Sequence, residues 1–182
     1  TTTALSDDEL ERACALAFAQ NRPGMAALLN IERRLGLRGN EAIHGQEDTL
    51  RRWLDELQKD GRISVMAGTK GGRQRTVSVQ LIAPAIQAVR EAIDVAAGQR
   101  GYLVVRANGS PSGGLKQARS VYHSWMSRAQ VRPHAARYAF AGDQLHGYLA
   151  AGFSVREALI ATSLDLGHGS GRGRWVKSVY LG

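Results

Sequence analysis

Two histidines, an arginine and a tyrosine stand out in the last fifty residues. They occur in Pro133-His134-Ala135-Ala136-Arg137, in Leu166-Gly167-His168, and in Val179-Tyr180-Leu181-Gly182. Three-residue spacing puts His134 and Arg137 on one helical face, near the start of that helix. His168 is flanked by glycines, where no apolar surroundings would call for an imidazole. Such a set is odd for a packed core and sensible for holding an anionic phosphodiester beside a phenol. A phenol titrates near 10, so Tyr180 needs a neighbouring base or a strong positive field before it can attack.

Further cations fall at turns and helix starts: Arg38, then Lys70, Arg73 and Arg75 in the run from Gly68 to Arg75, then Arg172 and Arg174 among glycines. Arginine grips phosphate oxygens through a planar fork, whereas lysine is a compact point charge that gives up its proton more readily. Brought together, these groups would offset the charge that builds on phosphate oxygens during displacement. Taken singly, each could equally be a solvated surface charge, His134 a helix cap and Tyr180 a packed aromatic. His44, His123 and His146 lie in amphipathic stretches and read as surface or packing residues. No histidine pair has i, i+4 spacing around a glutamate and no cysteine pair exists, so the expected site uses neither metal nor cofactor. Protein cations must then supply the electrostatics.

Composition points the same way. The 182 residues carry 24 Lys and Arg against 16 Asp and Glu, a formal charge of +8 that favours polyanions such as nucleic acid. Cys14 is the single cysteine, so no intrachain disulfide can form, as suits a reducing compartment. It sits in an apolar helical run and reads as a small buried hydrophobe. The longest apolar stretch, Ala13 to Ala19, is too short to span a bilayer, and no membrane partner is expected.

The elements that must position these groups can be read in order. Ser6-Asp7-Asp8-Glu9 is a capping box opening a helix to about Gln20. Pro23 suits the first turn of a second helix, which Gly36 ends after Leu35. Leu37 to Glu41 begins the next element, and Trp53, Leu54 and Leu57 belong to a helix closing near Asp60-Gly61. Ile63 to Met66 and Thr76 to Leu81 alternate as strands around a glycine-rich hairpin turn. Pro84 starts a helix that closes near Gly98. Tyr102 to Val105 is a short strand or extended link, and Asn108 to Gly114 a flexible loop. Leu115 to Gln130 is helical, Pro133 precedes a helix to Ala151, and Ser154 to Glu157 is a second capping box. Trp175 to Tyr180 reads as a short terminal helix. The sum is a mainly helical α+β domain with one small antiparallel sheet.

These motifs, in this order, resemble the catalytic domain of the tyrosine recombinases, or phage-type integrases. Leu35 to Glu41 is similar to the segment carrying that family's first catalytic arginine, and Gly68 to Arg73 to its β-hairpin turn with the catalytic lysine. His134-Ala135-Ala136-Arg137 matches its His-x-x-Arg box, Leu166-Gly167-His168 its Leu-Gly-His box, and Tyr180 falls where the nucleophile is expected. The resemblance runs across nearly the whole chain. Three features mark a divergent member: a long spacing from His168 to Tyr180, Ile43 to Gly61 in place of a strand-like segment, and Tyr138 where many members have histidine.

The resemblance implies a single catalytic domain over 1–182, without the family's N-terminal DNA-clasping domain. It implies site-specific cutting and rejoining of DNA through a 3′-phosphotyrosyl link on Tyr180. Arg38 and Arg137 would clamp the nonbridging oxygens with His168 assisting, Lys70 would protonate the leaving 5′-oxygen, and His134 would move the tyrosine proton. Arg73, Arg75, Arg172 and Arg174 would contact DNA. Implied partners are a double-stranded recombination site and other recombinase protomers, as a tetramer on DNA, in the bacterial cytoplasm beside the nucleoid. Two other readings of the same features are a non-catalytic basic DNA-binding module and a relaxing topoisomerase using the same tyrosine chemistry.

Overall fold

The computed structural model describes residues 3–132 and 134–168. In order, the described elements are α1 (Asp7–Ala19), α2 (Pro23–Leu35), α3 (Gly39–Ile43), α4 (Glu47–Asp60), β1 (Arg62–Val65), a 3-10 turn (Lys70–Gly72), β2 (Arg75–Ser78), α5 (Ile82–Ala97), α6 (Leu115–Arg128), α7 (Ala135–Ala150) and α8 (Val155–Asp165). This is the mainly helical α+β fold that the pattern implied, with a two-stranded antiparallel sheet. The expected helix from Trp175 to Tyr180 lies outside the described residues.

Both capping boxes form. Ser6 Oγ accepts from the Glu9 amide at 3.1 Å while Glu9 accepts from the Ser6 amide, and Ser154 with Glu157 repeats the exchange. Helix α2 is the central post. Met25, Leu28, Leu29, Ile31 and Leu35 on it are all buried, and it packs against α1, α5 and α7. A wide apolar face of this kind is the signature of a helix surrounded by neighbours rather than lying on the surface. Gly36 then ends α2 in the left-handed conformation. Across to α7 the post is tied by Arg33 to Asp143 at 2.6 Å.

The sheet hangs from α4. Trp53, buried on that helix, donates its indole N–H to the Ser64 carbonyl at 3.0 Å, and Ile63 pairs with Val77 in register. The first strand is shifted one residue toward the N-terminus from its alternating pattern, and the second is shorter than its own predicts. Met66 lies beyond β1 and is exposed. After Ser78 the Val79 amide still reaches Gly61, but the Gln80 amide donates to Gln144 Oε1 of α7 at 2.8 Å, so pairing ends there. The chain turns directly into α5, which starts two residues before Pro84. The proline thus sits in the first turn, where its missing N–H has no partner to lose. Tyr102 to Val105 is an extended link with one bridge, Val105 to Pro111.

Candidate active site

Five of the residues singled out for chemistry, Arg38, Lys70, His134, Arg137 and His168, line one cleft of about 910 Å³. They arrive from four separate places: the α2–α3 junction, the hairpin tip, the N-terminal end of α7, which carries both His134 and Arg137, and the turn after α8. Arg73 and Arg75 line the same cleft, and so does Tyr138. Tyr180, Arg172 and Arg174 lie outside the described residues.

The guanidiniums are held by a common set of acceptors. Arg137 is buried, its Nε donating to the Gly36 carbonyl at 3.1 Å and its Nη2 to the Leu166 carbonyl. Gly36 O also accepts from Arg75 Nη2 at 3.2 Å, so one backbone oxygen anchors two arginines. Burial, with Arg38 and Arg75 nearby, pushes Arg137 down to about 9, which still leaves it cationic at neutral pH. Arg75 reaches inward with all three nitrogens: Nε and Nη2 to the Glu41 carboxylate at 2.9 and 2.7 Å, and Nη1 to the Asp165 carbonyl at 2.6 Å. Expected from its position to touch DNA, Arg75 instead braces the floor of the cleft. Arg73, in contrast, is exposed at the hairpin.

Glu41 was legible only as part of the Arg38 motif, yet it is the anionic keystone. Its side chain is fully buried; it pairs with Arg75, lies 3.6 Å from Arg38, and accepts from the Arg38 amide at 2.8 Å. Burial alone would raise its pKa, but the hydrogen bonds and charge of Arg75, aided by Arg38, bring it below the usual carboxylate range. Glu41→Gln should therefore cost about 3 kcal/mol of stability, because buried guanidiniums lose their counter-charge. Urea titration at pH 7 reads this directly, and a midpoint unchanged from the parent would remove Glu41 from the keystone role.

His134 occupies the N-cap position of α7 with a left-handed backbone (φ 66) and makes no side-chain capping bond, so the cap reading does not hold. Burial first, then the charges of Arg137 and Arg38, lowers its pKa, which favours a neutral imidazole able to accept a proton. Lys70 stands exposed on the hairpin tip. His168 follows Gly167, whose φ of 81 and crowding explain the glycine: a Cβ there would meet Arg75 Cδ at 2.8 Å and Arg38 Nη1 at 3.4 Å. Gly167→Ala is accordingly expected to lower stability by about 1–2 kcal/mol and displace both arginine stems, measurable as a drop in melting temperature.

A second buried acid went unnoticed in the sequence. Glu32 of α2 is fully buried and accepts from the Tyr122 hydroxyl at 3.0 Å, and burial pushes its pKa up to about 8. Its wall is shared with a side chamber of about 480 Å³ that opens on Arg38, Asn40 and His134. His44, His123 and His146 lie outside the main cleft. Of these, His44 places Nδ1 2.7 Å from the Asn40 carbonyl. Cys14 is half-buried and its thiol is pushed up to about 11, chiefly by desolvation.

Among the described residues no three of His, Cys, Asp and Glu gather as metal ligands. No described helix is long and apolar enough to cross a membrane. A family model described as Integrase matches residues 1–143, a span that includes Arg38, Lys70, His134 and Arg137. No curated protein and no solved structure matches the chain.

Proposed function

Because this chain belongs to the integrase family, phage-type and acting on DNA in integration or recombination, we propose that it cuts and rejoins DNA strands through a covalent 3′-phosphotyrosyl intermediate on Tyr180. The observation that carries this reading is the convergence of Arg38, Lys70, His134, Arg137 and His168 on one cleft.

The chemistry follows from their types. A phosphodiester entering the cleft meets Arg38 and Arg137 at its nonbridging oxygens, with His168 as a further donor. As the tyrosine oxygen bonds to phosphorus, negative charge grows on those oxygens, and fixed guanidiniums stabilise it without having to reorganise. The phenol proton passes to the neutral imidazole of His134. The bond from phosphorus to the 5′-oxygen breaks, and Lys70 gives that oxygen its proton, releasing a free 5′-hydroxyl. Phosphorus keeps the same number of oxygen bonds, so the reverse attack by a 5′-hydroxyl rejoins a strand with no external energy source. Arg73, and beyond it Arg172 and Arg174, serve backbone phosphates around the cleft. Exchange between two duplexes requires several protomers, and a tetramer on paired sites is the arrangement proposed.

The test is to select a duplex from a random-sequence pool by binding to the full chain, nick it, and incubate it with the protein. A denaturant-resistant adduct should form, and mass spectrometry of its peptides should find the nucleotide on Tyr180. Attachment at another residue, or DNA that binds without ever becoming linked, would overturn the proposal.

A further inference from the structure

The carboxylate of Asp165 closes α8, a place where charge alone argues against it. The end of a helix carries partial negative charge, so an acid there is repelled by the very carbonyls it ends beside. It is also buried, which raises its pKa before any partner is considered. Three donors from two other elements nevertheless meet it. The Ser78 amide, at the end of β2, reaches Oδ1 at 3.1 Å; Gln144 Nε2 and Tyr148 Oη, one turn apart on α7, reach Oδ2 at 2.7 and 2.5 Å. Gln144 also donates to the Ser78 carbonyl and accepts from Gln80, so the strand end and α7 are tied to each other as well as to the acid.

The backbone of the same turn carries the load. The Asp165 carbonyl takes Arg75 Nη1, and the next carbonyl, Leu166, takes Arg137 Nη2. The His168 amide then closes back on the Ser163 carbonyl at 2.9 Å. Free carbonyls at a helix end usually go to water or a cap; here two of them seat cleft arginines.

We propose that Asp165 is a positioning residue for the cleft: gripped by Ser78, Gln144 and Tyr148, it fixes the turn whose carbonyls hold Arg75 and Arg137 and which delivers His168. This rests on the proposed strand-cleaving reaction for its functional consequence, though not for its structural one. Asp165 touches no substrate and acts only through the three groups behind it.

Asp165→Asn keeps the shape but puts an amide donor against Gln144 and Tyr148, two groups that were donating. Tyr148→Phe removes one donor and is the milder variant should the first fold poorly. Leu57→Ala, in the α4 core away from the cleft, serves as a destabilised control. Two readouts are taken on the full chain. The first is NMR of the arginine Nε–H groups, where Arg75 and Arg137 should give exchange-protected signals in the parent and in Leu57→Ala but lose protection in Asp165→Asn. The second is the single-turnover rate of adduct formation on the selected nicked duplex. It should fall about a hundredfold in Asp165→Asn and about tenfold in Tyr148→Phe, with DNA affinity within about threefold of the parent. Protected arginine signals in Asp165→Asn, or a rate no lower than that of Leu57→Ala, would overturn the proposal. A parent that forms no adduct while Asp165→Asn loses the arginine signals would sink the strand-cleaving reading and leave the positioning role standing.

Discussion

Arg137→Lys should slow covalent capture of DNA by about a thousandfold while leaving the chain folded. The guanidinium is anchored by two bonds at once, Nε to Gly36 O and Nη2 to Leu166 O, and those bonds still leave Nη1 for a phosphate oxygen in the cleft. Lysine has one nitrogen. It can satisfy a carbonyl or face a phosphate, but it cannot span the two carbonyls and present a second planar donor. Loss of a single preorganised donor to a developing oxyanion costs about a hundred- to a thousandfold, and arginine fingers on phosphoryl groups contribute more. The charge is retained, so binding to duplex DNA should weaken by less than about tenfold. Rates measured at saturating DNA decide the matter: a variant that captures DNA within tenfold of the parent rate would show that Arg137 is structural only.

The second large effect concerns Glu32 and runs against the usual direction for a carboxylate. An ordinary glutamate titrates near 4.5; burial beside Tyr122, with no cation among its hydrogen-bond partners, raises Glu32 to about 8. Below pH 4.5 the residue is protonated in both folded and unfolded chains, and its contribution to stability is fully present. Between 4.5 and about 8 the unfolded chain releases this proton while the folded chain retains it, so rising pH favours unfolding. Above about 8 the folded form ionises too and the loss is complete. At about 1.4 kcal/mol per pH unit, the window is worth on the order of 5 kcal/mol. Glu32→Gln keeps an acceptor for the Tyr122 hydroxyl and has nothing to titrate. Its stability relative to the parent should therefore climb from pH 5 to about pH 8 and level off above it in denaturant titrations. A constant difference across that range would mean that Glu32 is ionised throughout. Cleavage should follow: an anion forming at Glu32 offsets part of the Arg137 charge, so the parent should lose rate above pH 8 and Glu32→Gln should not.

Much of the architecture was legible because short-range chemistry dictates it. Ser6 and Ser154 announce their helices, Gly36 and Gly61 end theirs, and the alternation around Gly68 to Arg75 marks a hairpin. The cleft residues were legible for a different reason: each cation or histidine alone could be a surface charge or a cap, and only their joint order along the chain resembles a known family's site. What stayed hidden depends on contacts between residues far apart in the chain. Nothing near Asp165 says that Gln144, Tyr148 and Ser78 will converge on it. Arg75 looked like its neighbour Arg73 because both sit beside hairpin glycines. Arg75, however, opens β2 and is turned inward to Glu41, whereas Arg73 lies before the strand, just past the 3-10 turn, and is left in solvent. Glu32 falls on the apolar side of α2, and only the tertiary neighbour Tyr122 reveals that an acid is tolerated there. The end of β2 departs from its alternating pattern for the same reason, since a side chain 64 positions away captures the amide of Gln80.

The hairpin tip contrasts with everything beneath it. Arg137 and Arg75 are bolted to carbonyls and Glu41 lies sealed below them, whereas Lys70 rides beside Gly71 and Gly72, around which an added side chain would find open space. In the proposed reaction, then, the grip on the phosphate is set by the fold, while release of the severed end hangs on a slender arm. Lengthening that arm by one residue pair would carry the ammonium several ångströms outward. The result would be a protein that seizes its strand as firmly as before and has lost the means to let it go.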